Sequence, residues 1–142
     1  MKSIRMTIAL SACAALTACA GFPPYQPPPA GPDVATIDLS RFNADSICTG
    51  GELYSIRKVE GDKLLVPTTS RVALYSWVYI SDYYMNYSCM PGVSFQPVAG
   101  ETYLMNLELD SKACHAEVYR HSPDSRVGLD LVYSEGPPAL CQ

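Results

Sequence analysis

Residues 37–142 predict an all-β fold, a small antiparallel β-sandwich, on three observations. Apolar and polar residues alternate at period two in several stretches. Turn-forming residues separate those stretches about every ten positions. Helical spacing is confined to one short turn near residues 39–44, where Asp38 or Ser40 could cap.

The alternation is clearest in three places. In residues 71–80, RVALYSWVYI, Val72, Leu74, Val78 and Ile80 share one side of an extended chain, and Arg71, Ala73, Tyr75, Trp77 and Tyr79 share the other. In residues 101–109, ETYLMNLEL, the apolar side carries Tyr103, Met105, Leu107 and Leu109. In residues 127–133, VGLDLVY, it carries Val127, Leu129, Leu131 and Tyr133. Weaker strands are expected at 52–59, 63–66, 83–90 and 113–120. Between them lie Glu60-Gly61-Asp62, Ser81-Asp82, Met90-Pro91-Gly92, the run from Pro97 to Gly100, and the run from His121 to Ser125.

The N-terminal residues have a different character. Lys2 and Arg5 precede the apolar run MTIALSACAA, which is too short for the roughly 20 residues a bilayer span needs. This is the pattern of a secretory signal peptide, residues 1–18. It ends in Leu16-Thr17-Ala18-Cys19, which resembles the lipobox of bacterial lipoproteins. The resemblance implies cleavage before Cys19, a diacylglycerol on its thiol and an acyl chain such as palmitate on its new amino group. Leu10-Ser11-Ala12-Cys13 also fits, but it would leave an apolar segment of only about 7 residues and an odd number of cysteines. Ala20, in place of an aspartate, resembles an outer-membrane sorting signal. The expected location is therefore the outer membrane, lipid-anchored and facing the periplasm.

Residues 19–36 contain FPPYQPPPAGP, where proline fixes φ and removes the N–H. They are expected to form an extended tether that holds the domain roughly 40 Å from the membrane.

Processing at Cys19 leaves Cys48, Cys89, Cys114 and Cys141. Four cysteines allow three pairings. Strand positions favour Cys89 with Cys114, and Cys48 with Cys141 as a clasp from the domain's start to its end. An oxidising compartment favours both bonds. There is no C-x-x-C, and Cys114 and His115, as strand neighbours, point to opposite faces, so a thiol–imidazole pair does not form there.

A longer pattern runs from Cys89 through Phe95, Pro97, Gly100 and Tyr103 to Cys114, as C…F-x-P-x-x-G-x-x-Y…C. With Val66-Pro67 before it, the stretch 66–120 resembles a family of small, poorly characterised lipoproteins of Gram-negative bacteria. The resemblance implies an immunoglobulin- or transthyretin-like sandwich and a cell-envelope location, and it implies no reaction. The pattern reads as structural. Phe95 ends a strand pointing inward, Pro97 stops the ladder, Gly100 supplies a positive φ at the turn, and Tyr103 begins the return strand of a hairpin.

Composition narrows the function classes. The formal charge of −4 becomes −6 once Lys2 and Arg5 leave with the signal, so neither a phosphate backbone nor an anionic lipid surface would attract this chain. Nucleic acid is not an expected partner, and no cofactor is expected. The hydrolase and nucleotide motifs G-x-S-x-G, H-E-x-x-H and G-x-x-x-x-G-K are absent, and Glu108, Asp110 and Asp130 are scattered, so no catalytic residue is assigned. His115 and Glu117 share a strand face near His121 and Asp124, but zinc needs three or four converging ligands, so no metal site is assigned either.

The most distinctive feature is aromatic: Tyr75, Trp77, Tyr79, Tyr83, Tyr84 and Tyr87 lie within thirteen positions. If Val72 and Leu74 face the core, then Tyr75, Trp77 and Tyr79 form an outward row, to which the next strand adds Tyr84 or another tyrosine; the plainer reading is that the aromatic side is itself core, or that cross-strand pairs stabilise a sheet. Such a row suits a protein partner or the sugar rings of peptidoglycan. The expected function is non-enzymatic: an envelope lipoprotein anchored through acyl chains on Cys19, with a structural or protein-interaction role. The alternatives are a glycan-binding module or a protein similar to the lipoprotein inhibitors of lysozyme, which Tyr87-Ser88-Cys89 loosely resembles.

Overall fold

The computed structural model describes residues 21–57, 59–110, 113–132 and 141. They form two packed β-sheets and a separate hairpin. The strands are β1 (Val34–Arg41), β2 (Ser46–Thr49), β3 (Glu52–Ser55), β4 (Lys63–Pro67), β5 (Val72–Tyr75), β6 (Val78–Ser81), β7 (Asn86–Cys89), β8 (Gly92–Phe95), β9 (Thr102–Leu109), β10 (Cys114–His121) and β11 (Leu129–Val132). One sheet has the order β11-β10-β9-β1-β4, the other β3-β2-β5-β8, and among the described residues β6 pairs only with β7.

The core lies between the two larger sheets. The five-stranded sheet turns Ala35, Ile37, Leu64, Val66, Tyr103, Met105 and Val118 inward, and the four-stranded sheet turns Ile47, Val72, Leu74, Val93 and Phe95 inward. Phe42 and Ala44, in the link from β1 to β2, close one end. Burial of each large apolar side chain contributes about 1.5–3 kcal/mol, which is why the alternating stretches become strands with a fixed inward face.

β1 is the strand that the proline-rich prefix obscures. It lies inside its sheet, antiparallel to the edge strand β4 and parallel to the central strand β9, with Ile37 opposite both Leu64 and Tyr103. The boundary expected at residue 37 therefore falls inside a strand. The helical turn expected near residues 39–44 is corrected as well. Asp38 does accept a local bond, from the Ser40 N–H at 2.9 Å, but the result is a shift in the β1–β9 register between Asp38 and Arg41. Phe42 N–H then bonds Leu39 C=O at 3.0 Å, turning the chain into β2.

The continuous strand expected over 71–80 is two strands. β5 runs between β2 and β8, with its ladder ending at Tyr75 opposite Gly92. The next residue on the β8 side is Pro91, which has no N–H to continue the ladder. Its carbonyl accepts from Ser76 N–H at 3.0 Å, and the Trp77 N–H turns away to the Asp45 carboxylate. The chain then leaves the sheet as β6.

The link from β8 to β9 is an arch between the two sheets, where a hairpin was expected. Phe95 and Tyr103 pack across the core with ring centroids 4.8 Å apart. Tyr103 Oη accepts the Val98 N–H at 3.0 Å, and Gly100 takes φ 77°, which a side chain would resist. Gly100 N–H bonds Val34 C=O at 2.9 Å, so the arch also holds the start of β1.

The expected free tether is also corrected. Ser55 N–H donates to Pro23 C=O at 2.9 Å, and Tyr25 N–H donates to Ser55 C=O at 2.8 Å. Tyr25 Oη donates to Leu65 C=O at 3.0 Å, and its ring meets that of Tyr54 edge-on at 5.9 Å. Residues 22–25 thus form a strap along β3, the edge of the four-stranded sheet. Pro23 and Pro24 present no N–H outward, so the strap blunts that edge. Burial, with Tyr54 adding to it, pushes the Tyr25 hydroxyl up to about 12.

Candidate functional site

The β6–β7 hairpin and its root make up the candidate site. The root lies where β5 ends and β8 begins. There Asp45 ties three segments together: its N–H bonds Tyr75 C=O at 2.8 Å, its C=O accepts from Ile56 N–H at 2.8 Å, and its carboxylate takes the Trp77 N–H. The hairpin register sets Val78 opposite Cys89 and Ile80 opposite Tyr87 on one face, with Tyr79 opposite Ser88 and Ser81 opposite Asn86 on the other. Asn86 Oδ1 accepts from Ser81 Oγ at 2.7 Å and from Tyr79 Oη at 3.3 Å.

The tip is built by Asp82. Its carboxylate accepts the N–H groups of Tyr84 and Met85 at 2.7 and 2.8 Å, and its own N–H bonds Met85 C=O at 2.9 Å. Those two N–H groups hold the carboxyl below the usual carboxylate range. The turn pushes the side chains of Tyr83, Tyr84 and Met85 into solvent at 93, 89 and 67% exposure, with the two tyrosine rings edge-on at 5.0 Å.

The expected aromatic row survives in part. Trp77 and Tyr79 are exposed, at 63 and 61%. Tyr75 is not: it is 6% exposed, and burial raises its hydroxyl's pKa. The reason is that β5 is a central strand buried on both faces, with Ala73 and Tyr75 covered as well as Val72 and Leu74. Ile80, expected on the core side, is itself partly exposed because β6 has left the sandwich. Met85 and Met90 were missed as surface groups. The Ser81-Asp82 turn signal, followed at once by Tyr-Tyr-Met, was the clue to the tip.

Both favoured cysteine pairs stand at disulfide distance. Cys48 and Cys141 have Cα atoms 5.7 Å apart, and Cys89 and Cys114 have theirs 6.4 Å apart. The second pair staples the hairpin root to β10. Cys19 lies outside the described residues.

The remaining polar groups do not converge. Glu117 accepts the Tyr119 hydroxyl on its own strand, which raises that tyrosine's pKa, while His115, His121 and Asp124 are exposed. Among the described residues, no three metal-ligating side chains come together. Arg120 and Asp130 form an exposed pair at 3.7 Å, of small energetic weight. An open cleft of about 730 Å³ lies beside the β1–β2 link, and its rim carries Arg41 and Arg57 against Asp45 and Asp62. Those charges balance, so the cleft selects no one sign of ligand.

No protein-family model, curated protein or solved structure matches this chain.

Proposed function

We propose that this chain is an envelope lipoprotein, anchored in the outer membrane by acyl chains on Cys19, that works by contact rather than catalysis. Its contact surface for another envelope protein is the exposed side of the β6–β7 hairpin around Trp77 and Tyr79. One observation carries the contact reading: a hairpin outside both sheets presents large aromatic groups to solvent while its root is fixed by Asp45 and Cys89. Tyrosine and tryptophan on a rigid base lose little entropy when they dock, which is why they dominate interface energetics. The anchoring reading is supported by Leu16-Thr17-Ala18-Cys19 at the end of an apolar segment, and by the even number of cysteines beyond it.

Photo-cross-linking from position 79 in intact cells tests the contact. A single reproducible protein adduct, lost in Trp77→Ala, is the expected result. No adduct at equal yield would remove the protein-partner reading.

A glycan reading has one specific observation in its favour. Tyr79 shares its hairpin face with Ser81, Asn86 and Ser88, a ring beside hydroxyl and amide groups. Retention on isolated peptidoglycan, abolished by Tyr79→Ala, would favour it.

A further inference from the structure

The tip of the hairpin is a different surface from its side. Between Val72 and Gly100 the chain has a single charged residue, Asp82, and that carboxylate is occupied by the turn's own N–H groups. Beyond Asp82 the tip offers two tyrosines and a methionine to solvent. Side chains with an apolar body and a polar end collect at the boundary between headgroups and acyl chains. Asp82 is the one charge of the tip, and a second acidic group there would add to the repulsion of this net-negative chain from anionic lipid.

The strap sets where a bilayer would lie. Ser55, Ser46, Tyr75 and Gly92 are opposite one another across the four-stranded sheet. The strap is bonded at Ser55, through Ser55 Oγ to Phe22 C=O at 3.1 Å as well as the main-chain bonds. The hairpin leaves from Tyr75 and returns at Gly92. Strap and hairpin root are therefore at the same end of that sheet, two strand spacings or about 10 Å apart. Three peptide links separate Phe22 from Cys19, a reach of about 10 Å at full extension. Four residues of β6 rise about 13 Å from the root. A membrane that holds Cys19 is thus within reach of the tip.

We propose that Tyr83, Tyr84 and Met85 form a second membrane contact, seated in the interfacial layer of the same bilayer that holds the acyl chains of Cys19. This rests on the anchoring reading above. The acyl chains supply the affinity. The tip, brought to the surface at high local concentration, fixes the orientation of the domain and leaves the Trp77–Tyr79 side facing away from lipid.

The test uses the lipidated chain, purified from membranes and reconstituted into vesicles of phosphatidylethanolamine and phosphatidylglycerol, with and without brominated acyl chains. Trp77 is the sole tryptophan, so Trp77→Phe with Tyr84→Trp moves the only indole to the tip. The tip indole is expected to lose roughly half its emission on brominated vesicles and to shift to shorter wavelength, with a smaller loss for Trp77 in the unaltered chain. Adding Tyr83→Ser and Met85→Ser should abolish both effects, and the circular dichroism spectrum should stay unchanged. Intact mass shows whether Cys19 carries its lipid. A lipidated chain whose tip indole is unquenched, or whose tip cross-links to a protein in place of lipid, overturns the inference and leaves the anchoring reading standing. If the mass shows no lipid, the anchoring reading falls by itself. The chain is then held on vesicles by an N-terminal hexahistidine tag and a nickel-chelating lipid. In that arm a quenched tip supports the inference and an unquenched one overturns it.

Discussion

The sandwich and the hairpin are both made of β-strands rich in apolar residues, yet they use those residues in opposite ways. In the sandwich, Ile37, Leu74, Val93 and Met105 are wholly buried, and each strand's inward face is fixed by packing against the other sheet. In the hairpin, Trp77, Tyr79, Tyr83 and Tyr84 are exposed, and the strands are held by each other, by Asp45 and by Cys89. Residues of one chemical type thus stabilise the fold in one region and remain free for contact in the other. What separates them is a proline: at Pro91 the β5–β8 ladder stops, and the chain that continues the same alternation no longer has a sheet to join.

That contrast can be broken from the sandwich side first. Phe95→Ala should cost about 3–5 kcal/mol, because it removes a buried ring packed on Tyr103 and leaves a cavity. Denaturant unfolding would measure it, and a loss under about 1 kcal/mol would mean the arch is not part of the core. Next comes the staple. Replacing Cys89 and Cys114 together by alanine removes a 25-residue loop constraint, worth about 3.5 kcal/mol in the chain-entropy model, less any native strain. Proteolysis should then cut within residues 76–91 before the sandwich unfolds. Simultaneous loss of both regions would show that the hairpin belongs to the sandwich's cooperative unit.

The strap gives a smaller effect with a distinct pH signature. Tyr25→Phe loses one hydrogen bond, about 1 kcal/mol. The sign follows from proton binding. The folded state holds the Tyr25 proton to about 12, above its ordinary value of 10.0, so its contribution is intact below pH 10 and is lost as pH rises toward 12. Melting temperature followed through that window should fall more steeply in the unaltered chain than in Tyr25→Phe, and equal slopes would remove Tyr25 from the account. The smallest effect belongs to the tip. Tyr83→Ser and Tyr84→Ser should change stability by less than about 0.5 kcal/mol each, since both side chains are already in solvent. A larger loss would mean that the tip is packed.

The legibility of the sequence followed the same division. β4, β9 and β10 could be read almost to their ends because each has one face on the core, and alternation reports such a face directly. β1 alternates just as well, with Ala35 and Ile37 inward, but the prolines before it and the capping look of Asp38 and Ser40 disguised it. Alternation puts Tyr75 in an outward row if Val72 and Leu74 face the core, because it distinguishes two faces and cannot say when both are covered. The break after Tyr75 was invisible in RVALYSWVYI itself. Its cause lies sixteen positions on, in the missing N–H of Pro91. The strap was read as a spacer because proline excludes regular structure, and yet the carbonyls of Phe22 and Pro23 and the hydroxyl of Tyr25 remain available for bonding.

The place of β1 between β4 and β9 has a consequence for how the molecule is made. Thr36 pairs with Thr102, sixty-six positions later, and β9 is the neighbour that completes β1 on that side. A nascent chain that has grown only as far as Pro97 possesses β1 and β4 but not the strand that closes the sheet around them. Closure waits for the last third of the sequence, and it requires a long loop to be formed before the pairing rewards it, which places this domain among the slower folders, on the millisecond to second scale. The order of synthesis therefore leaves the core incomplete, without Tyr103 and Met105, until β9 has been made.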